Sequence, residues 1–151
     1  MKHYESIEAL KPLVGESIGI SDWLVIDQHR INLFADSTGD HQWIHVDVER
    51  ARSGPFGMPI AHGLLTLSLL PAFLATAFEV RGIGSALNYG LNKVRFAAPV
   101  PVNSRLRAQF RLVEWNPLGT TGAQIKLEMI VEIDGQSKPA CVAESIVRFF
   151  Y

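Results

Sequence analysis

In the C-terminal third of the chain, apolar and polar residues alternate with the period of a half-buried strand. Between residues 104 and 114, Leu106, Ala108, Phe110 and Leu112 fall on one face and Arg105, Arg107, Gln109 and Arg111 on the other. Residues 123–133 repeat the pattern, with Ile125, Leu127, Met129, Val131 and Ile133 set against Lys126, Glu128 and Glu132. Asp134-Gly135 follows and predicts a hairpin into a last strand over 140–150, whose alternation is less clean. Upstream, residues 85–97 predict a strand closed by Pro99 and Pro101.

The N-terminal half has a different rhythm. Residues 17–26 (SIGISDWLVI) predict a first strand, and Asp27 is placed to cap a helix running from Gln28 to about Ser37, with Ile31, Phe34 and Ala35 as its inner stripe. The segment Thr38 to Ala61 contains Gly39, Gly54, Pro55, Gly57 and Pro59, too many breakers for regular structure, and loops of that length in compact domains usually serve a function. A buried helix is predicted from about Gly63 to Glu79. The sum is an α+β chain: a single domain over residues 1–151 in which one antiparallel β-sheet wraps around a long central α-helix. Such a sheet leaves unpaired edges and a second surface to manage, so a homodimer is expected.

Composition narrows the classes. The chain has 151 residues, 48% of them apolar and 19% charged, enough to bury a core. Its formal net charge is −1, which gathers neither nucleic acid nor an anionic membrane surface. Cys141 is the only cysteine, so a disulfide framework and a thiolate metal cluster are both excluded, and an inert core thiol is the default reading. The N-terminal MKHYESIEALKPLVG carries acids and a proline where a signal peptide needs an apolar run, and a cytoplasmic protein is expected. Ile60 to Phe78 is long enough to cross a bilayer, but it holds His62, Gly63, Thr66, Ser68, Pro71 and Thr76, which favours a helix enclosed by protein.

The chemistry concentrates in FADSTGDHQWIHVD, Phe34 to Asp47. Asp40 and His45 stand five residues apart in an irregular segment, and both serve as acid or base. Taken by spacing alone, Asp40 reads rather as a turn residue and His45 as a histidine satisfied by backbone, because Asp near His is common. His41 and His45 have the spacing of a helical zinc pair, with Asp40, Asp47 and Glu49 nearby, but Gln42 stands where the zincin pattern needs Glu, and no metal is expected. A second cluster, PIAHGLL, puts Gly63 where the buried helix begins. Free N–H groups there suit an oxyanion, and a purely steric glycine suits the position equally well. His62 beside it is either a substrate contact or a helix-start residue.

These two motifs together resemble the MaoC-like, (R)-specific enoyl-CoA hydratase family. Its hydratase motif reads aromatic, a few residues, Ser/Thr-Gly-Asp, any, Asn-Pro, aliphatic, His, any, Asp, and PIAHGLL is similar to the family's helix start. The resemblance covers nearly the whole chain. It implies a hot-dog fold working as a dimer or larger assembly, and reversible hydration of a trans-2-enoyl-CoA to the (R)-3-hydroxyacyl-CoA. Asp40 and His45 would be the catalytic pair, and Gly63 would polarise the thioester carbonyl with its backbone N–H. No cofactor is implied beyond the coenzyme A carried by the substrate. The chain departs from the motif at Gln42-Trp43, which replaces Asn-Pro, removes a fixed φ angle and leaves acyl-chain preference open. The competing readings are a hot-dog acyl-CoA thioesterase, which would often use a lone carboxylate, and a non-catalytic acyl-thioester-binding subunit.

Overall fold

The computed structural model describes residues 1–151. Its main sheet is built from β2 (Ser17–Ile20), β3 (Leu24–Ile26), β5 (Ser85–Arg95), β6 (Ser104–Pro117), β7 (Gly122–Ile133) and β8 (Cys141–Phe150). The order is β2-β6-β7-β8-β5, antiparallel throughout, with β3 pairing beside β2 on the same edge of β6. The inner face carries Leu106, Ala108, Phe110 and Leu112 from β6 and Ile125, Leu127, Met129 and Val131 from β7, all buried. Against them lie the helices α4 (Gly63–Ser68) and α5 (Leu70–Ala77), which contribute Leu65, Leu69, Leu70, Phe73 and Ala77 to one core cluster. This is the hot-dog arrangement expected from the sequence.

The outer face of the sheet is polar. Arg107 reaches Glu132 at 2.5 Å, Arg111 reaches Glu128 at 3.0 Å, and Arg105 pairs with Asp134. Pairs this exposed contribute ~0–1 kcal/mol each. Their consequence is a face that carries charge rather than a second apolar surface.

Several elements differ from expectation. The first strand breaks into β2 and β3 at Ser21, whose Oγ takes the N–H of Ala108 at 2.8 Å, a donor that a strand carbonyl would otherwise have accepted. The central helix is two helices meeting at Leu69, because Pro71 lacks the N–H that would bond back to Leu67. It also ends at Ala77, since Phe78–Val80 turns extended as β4 and pairs in parallel with an unforeseen β1, Lys2–Tyr4. An unforeseen 3₁₀ helix, Ile7–Leu13, buries Ile7 and Leu10. The Asp134-Gly135 turn forms, but Pro139 delays the ladder, which resumes only where the Ala140 N–H meets the Val131 carbonyl at 2.8 Å. β8 alternates cleanly, with Cys141, Ala143, Ser145, Val147 and Phe149 inward. Burial pushes the Cys141 thiol up to about 11, which keeps it protonated.

The segment from Thr38 to Ala61 also holds more order than its breakers suggest. Two short helices occupy it, α2 (Trp43–Val46) and α3 (Val48–Arg52), because Gly54, Pro55, Gly57 and Pro59 all lie beyond them. Asp47 caps α3 by accepting the Arg50 N–H at 3.0 Å. No helix of the protein is long and apolar enough to cross a membrane.

Candidate active site

The helix α1 (Gln28–Thr38) begins where Asp27 accepts the Arg30 N–H at 2.8 Å and stops at Gly39, whose φ of 77° is a left-handed conformation that glycine adopts freely. That stop delivers Asp40 to the surface end of α1. The next turn, α2, carries His45 inward until its residue is only 6% exposed. Three ties fix His45. Its Nδ1 lies 2.7 Å from the carbonyl of Ile60, its own carbonyl accepts from Gln28 Nε2 at 2.8 Å, and its ring stacks on that of His62.

A ring nitrogen facing a carbonyl must carry a proton. His45 is therefore the Nδ1–H tautomer when neutral, which leaves Nε2 bare and able to accept a proton. Burial draws its pKa below the ordinary value of 6.5, and the neighbouring His62 pushes the same way. The Ile60 carbonyl and Asp40 oppose these effects without overcoming them.

His62 caps the start of α4 through its backbone, not its side chain. Its Nε2 donates to the backbone carbonyl of Asp40 at 2.9 Å, and its ring lies between Phe34, 4.9 Å away, and His45, 3.8 Å away. One histidine thus holds both members of the pair foreseen from the sequence. The Asp40 carboxylate and ring nitrogens of His45 and His62 come within 4.8 Å of one another.

That trio invites comparison with a metal centre, but the two imidazoles lie face to face with only 27° between their planes. His45 Nδ1 and His62 Nε2 are each spent on a backbone carbonyl, which leaves one bare nitrogen per ring and suits proton transfer. The alternative ligands weighed from the sequence are dispersed. His41 pairs with Asp36 at 2.9 Å, Asp47 caps α3, and Glu49 pairs with Arg52.

A cavity of about 300 Å³ opens beside this cluster. His45, Gly63, Thr66, Phe56, Phe96 and Val100 are on its wall, and its only polar side chains are those of His45 and Thr66. Gly63 is the first residue of α4, where backbone N–H groups have no intrahelical acceptor. The ring of Phe96 packs so closely here that a Cβ on Gly63 would stand 2.8 Å from it, so the steric reason for glycine holds. Trp43 is not on the cavity wall. Its ring turns back on its own loop, against Gly54 and 4.4 Å from the Arg50 guanidinium, so it adds no bulk to that wall.

Sequence reasoning passed over Gln28, Phe96 and Thr66. Gln28 and Phe96 carry no local signal, since their partners are distant in the chain. Thr66 had one: a hydroxyl inside an almost wholly apolar helical stretch.

The MaoC-like domain family matches residues 10–132 of the chain. The 3-hydroxyacyl-thioester dehydratase Z of Mycobacterium tuberculosis is 56% identical over 149 residues, covering 99% of both chains. Nodulation protein N of Rhizobium leguminosarum bv. viciae is 42% identical over 151 residues, covering 97% of this chain and 94% of its own. Among solved structures, the unliganded R-hydratase PhaJ1 from Pseudomonas aeruginosa superposes with a TM-score of 0.76 at 23% identity, covering 97% of this chain and 86% of that one.

Proposed function

This chain belongs to the MaoC-like domain family, and on that premise we propose that it is an (R)-specific enoyl-CoA hydratase, adding water reversibly to a trans-2-enoyl-CoA to give the (R)-3-hydroxyacyl-CoA. That it is a hydro-lyase follows from the family and from its identity to a dehydratase over nearly its whole length. The observation that carries the finer reading is the approach of the Asp40 carboxylate to two buried imidazoles beside an apolar cavity.

The proposed step balances with water alone. A water held between the Asp40 carboxylate and His45 Nε2 gives up a proton to this pair as its oxygen bonds to C3, and the pair holds that proton for C2. The C2=C3 electron pair moves toward the thioester carbonyl, whose oxygen takes a hydrogen bond from the Gly63 N–H. The proton then passes to C2. Acid, base and oxyanion donor suffice, with no metal and no cofactor beyond coenzyme A as carrier.

The partner we propose is a second copy. β5 is an edge strand, and Leu87, Tyr89 and Leu91 along it are 54%, 54% and 43% exposed. The charged outer face offers no comparable apolar surface, so pairing along β5 is the way this sheet closes its open edge.

The test of activity is to incubate the protein with a short trans-2-enoyl-CoA and follow conjugated enoyl absorbance together with free thiol. Loss of absorbance without thiol supports hydration. Thiol release would make the protein a thioesterase, and silence in both channels would make it a binding subunit.

A further inference from the structure

Thr66 is 2% exposed, and its Oγ1 has no hydrogen-bond partner within the protein. A threonine inside a helix ordinarily satisfies its hydroxyl on the carbonyl four residues back. Here that carbonyl, of His62, receives the Thr66 backbone N–H at 3.2 Å while the hydroxyl stands apart from it. An orphaned buried hydroxyl is destabilising, and its persistence asks for a partner the protein itself does not supply.

The surroundings say what kind of partner. Thr66 lies on the wall of the cavity that His45 shares, and no other side chain on that wall is polar. A helical side chain leans toward its own N-terminus, so Thr66 points back along α4 toward Gly63, three residues earlier on the same face. His45 and Asp40 are committed to water and its protons. The group of an acyl thioester still needing a donor is the carbonyl oxygen, on which charge grows as the C2=C3 electrons move.

We propose that the Thr66 hydroxyl donates a hydrogen bond to the thioester carbonyl of the bound acyl substrate, forming with the Gly63 N–H a two-donor oxyanion site. The proposal rests on the hydration reading. The hydroxyl strengthens its bond as the oxygen becomes enolate-like, so its effect falls on turnover more than on substrate affinity.

The experiment compares Thr66→Val, Thr66→Ala and Thr66→Ser with the unaltered protein, using a short trans-2-enoyl-CoA. Thr66→Val is nearly isosteric and removes only the unpaired hydroxyl, so its melting temperature should not fall, whereas kcat should drop about 10²-fold with KM little changed. Thr66→Ser should recover most of the rate, and Thr66→Ala should behave like Thr66→Val if the latter folds poorly. In an Asp40→Asn background, which holds the enoyl thioester without turning it over, Thr66→Val should move the bound carbonyl stretch to higher frequency. Undiminished kcat in both hydroxyl-free variants, or an unmoved carbonyl stretch, would overturn the proposal while leaving hydration intact. An unaltered protein that does not hydrate the thioester at all would overturn the hydration reading and this proposal with it.

Discussion

His45 and His62 stack ring on ring, with centroids 3.8 Å apart and planes 27° apart, and both residues are buried. The stack excludes water from one face of His45 and places a second imidazole where added positive charge would be repelled. It adds to the burial that lowers the His45 pKa, while the Ile60 carbonyl keeps the proton on Nδ1 and so leaves Nε2 bare.

That arrangement fixes a pH dependence. Desolvation first, then His62, lowers the His45 pKa in the folded protein below 6.5. As pH falls through 6.5 the unfolded chain gains a proton at this residue before the native state does, so stability declines; below the folded-state value both states are protonated and the decline from this source stops. The acid limb of kcat/KM should accordingly lie below pH 6.5. A pH–rate profile whose acid limb sits at or above that value would contradict the neutral, buried His45 described here.

Asp40→Asn keeps shape but removes the base, and His45→Ala removes the acceptor at Nε2. Each should lose ~10²–10⁴-fold in turnover while folding normally, as general acid–base groups typically do. The two losses should not multiply, because both groups act on one water. Single-turnover rates for the two variants and the double variant check this; an Asp40→Asn protein at full speed would remove Asp40 from the mechanism.

His62→Phe preserves a ring between Phe34 and His45 but deletes the donor to the Asp40 carbonyl. The net change in stability should stay within about 1 kcal/mol, the usual worth of one hydrogen bond. Turnover should fall on the order of 10-fold, since Asp40 is no longer anchored at its working distance. Thermal unfolding and kcat, measured side by side, separate the two effects, and unchanged kcat would show that the Asp40 loop holds itself.

Gly63→Ala places a methyl 2.8 Å from the Phe96 ring. Phe96 is 45% exposed and can move, so the fold should survive while the cavity wall shifts and kcat/KM falls about 10-fold. Adding Phe96→Ala should restore much of the loss, a coupling that a double-mutant cycle measures directly. Losses that simply add would mean the ring and the glycine act independently.

Leu87→Lys combined with Leu91→Lys puts like charges along the β5 edge without touching the core. Sedimentation should then report a monomer where the unaltered chain reports a dimer. A dimer that persists would place the interface elsewhere.

The alternation of β6 and β7 was plain in the sequence because a strand half in water must alternate. The stripe of α1 and its Asp27 cap were plain for the same reason: local geometry dictates them. β8 was harder to read, since Ala143 and Ser145 are too small or too polar to announce an inward face. The break at Leu69 was written in Pro71, but near-uniform apolarity across the helix masked it. The pairing of Lys2–Tyr4 with Phe78–Val80 joins segments so far apart that neither carries a sign of the other.

The sequence by itself determined the α+β class, the placement of a carboxylate and an imidazole just ahead of a buried helix, and a glycine at that helix's first residue. Each of these depends on neighbours within a few positions. Tertiary structure decided what surrounds them: that His62 ties Asp40 to His45, that the Ile60 carbonyl sets the tautomer, that Phe96 closes over Gly63, and that Thr66 is left with an unanswered hydroxyl. Those relations arise only when the 38–61 segment, α4 and the connection between β5 and β6 that carries Phe96 and Val100 pack against one another. Burial, ring stacking and unsatisfied hydrogen bonds belong to the packed assembly of side chains, and linear spacing does not encode them.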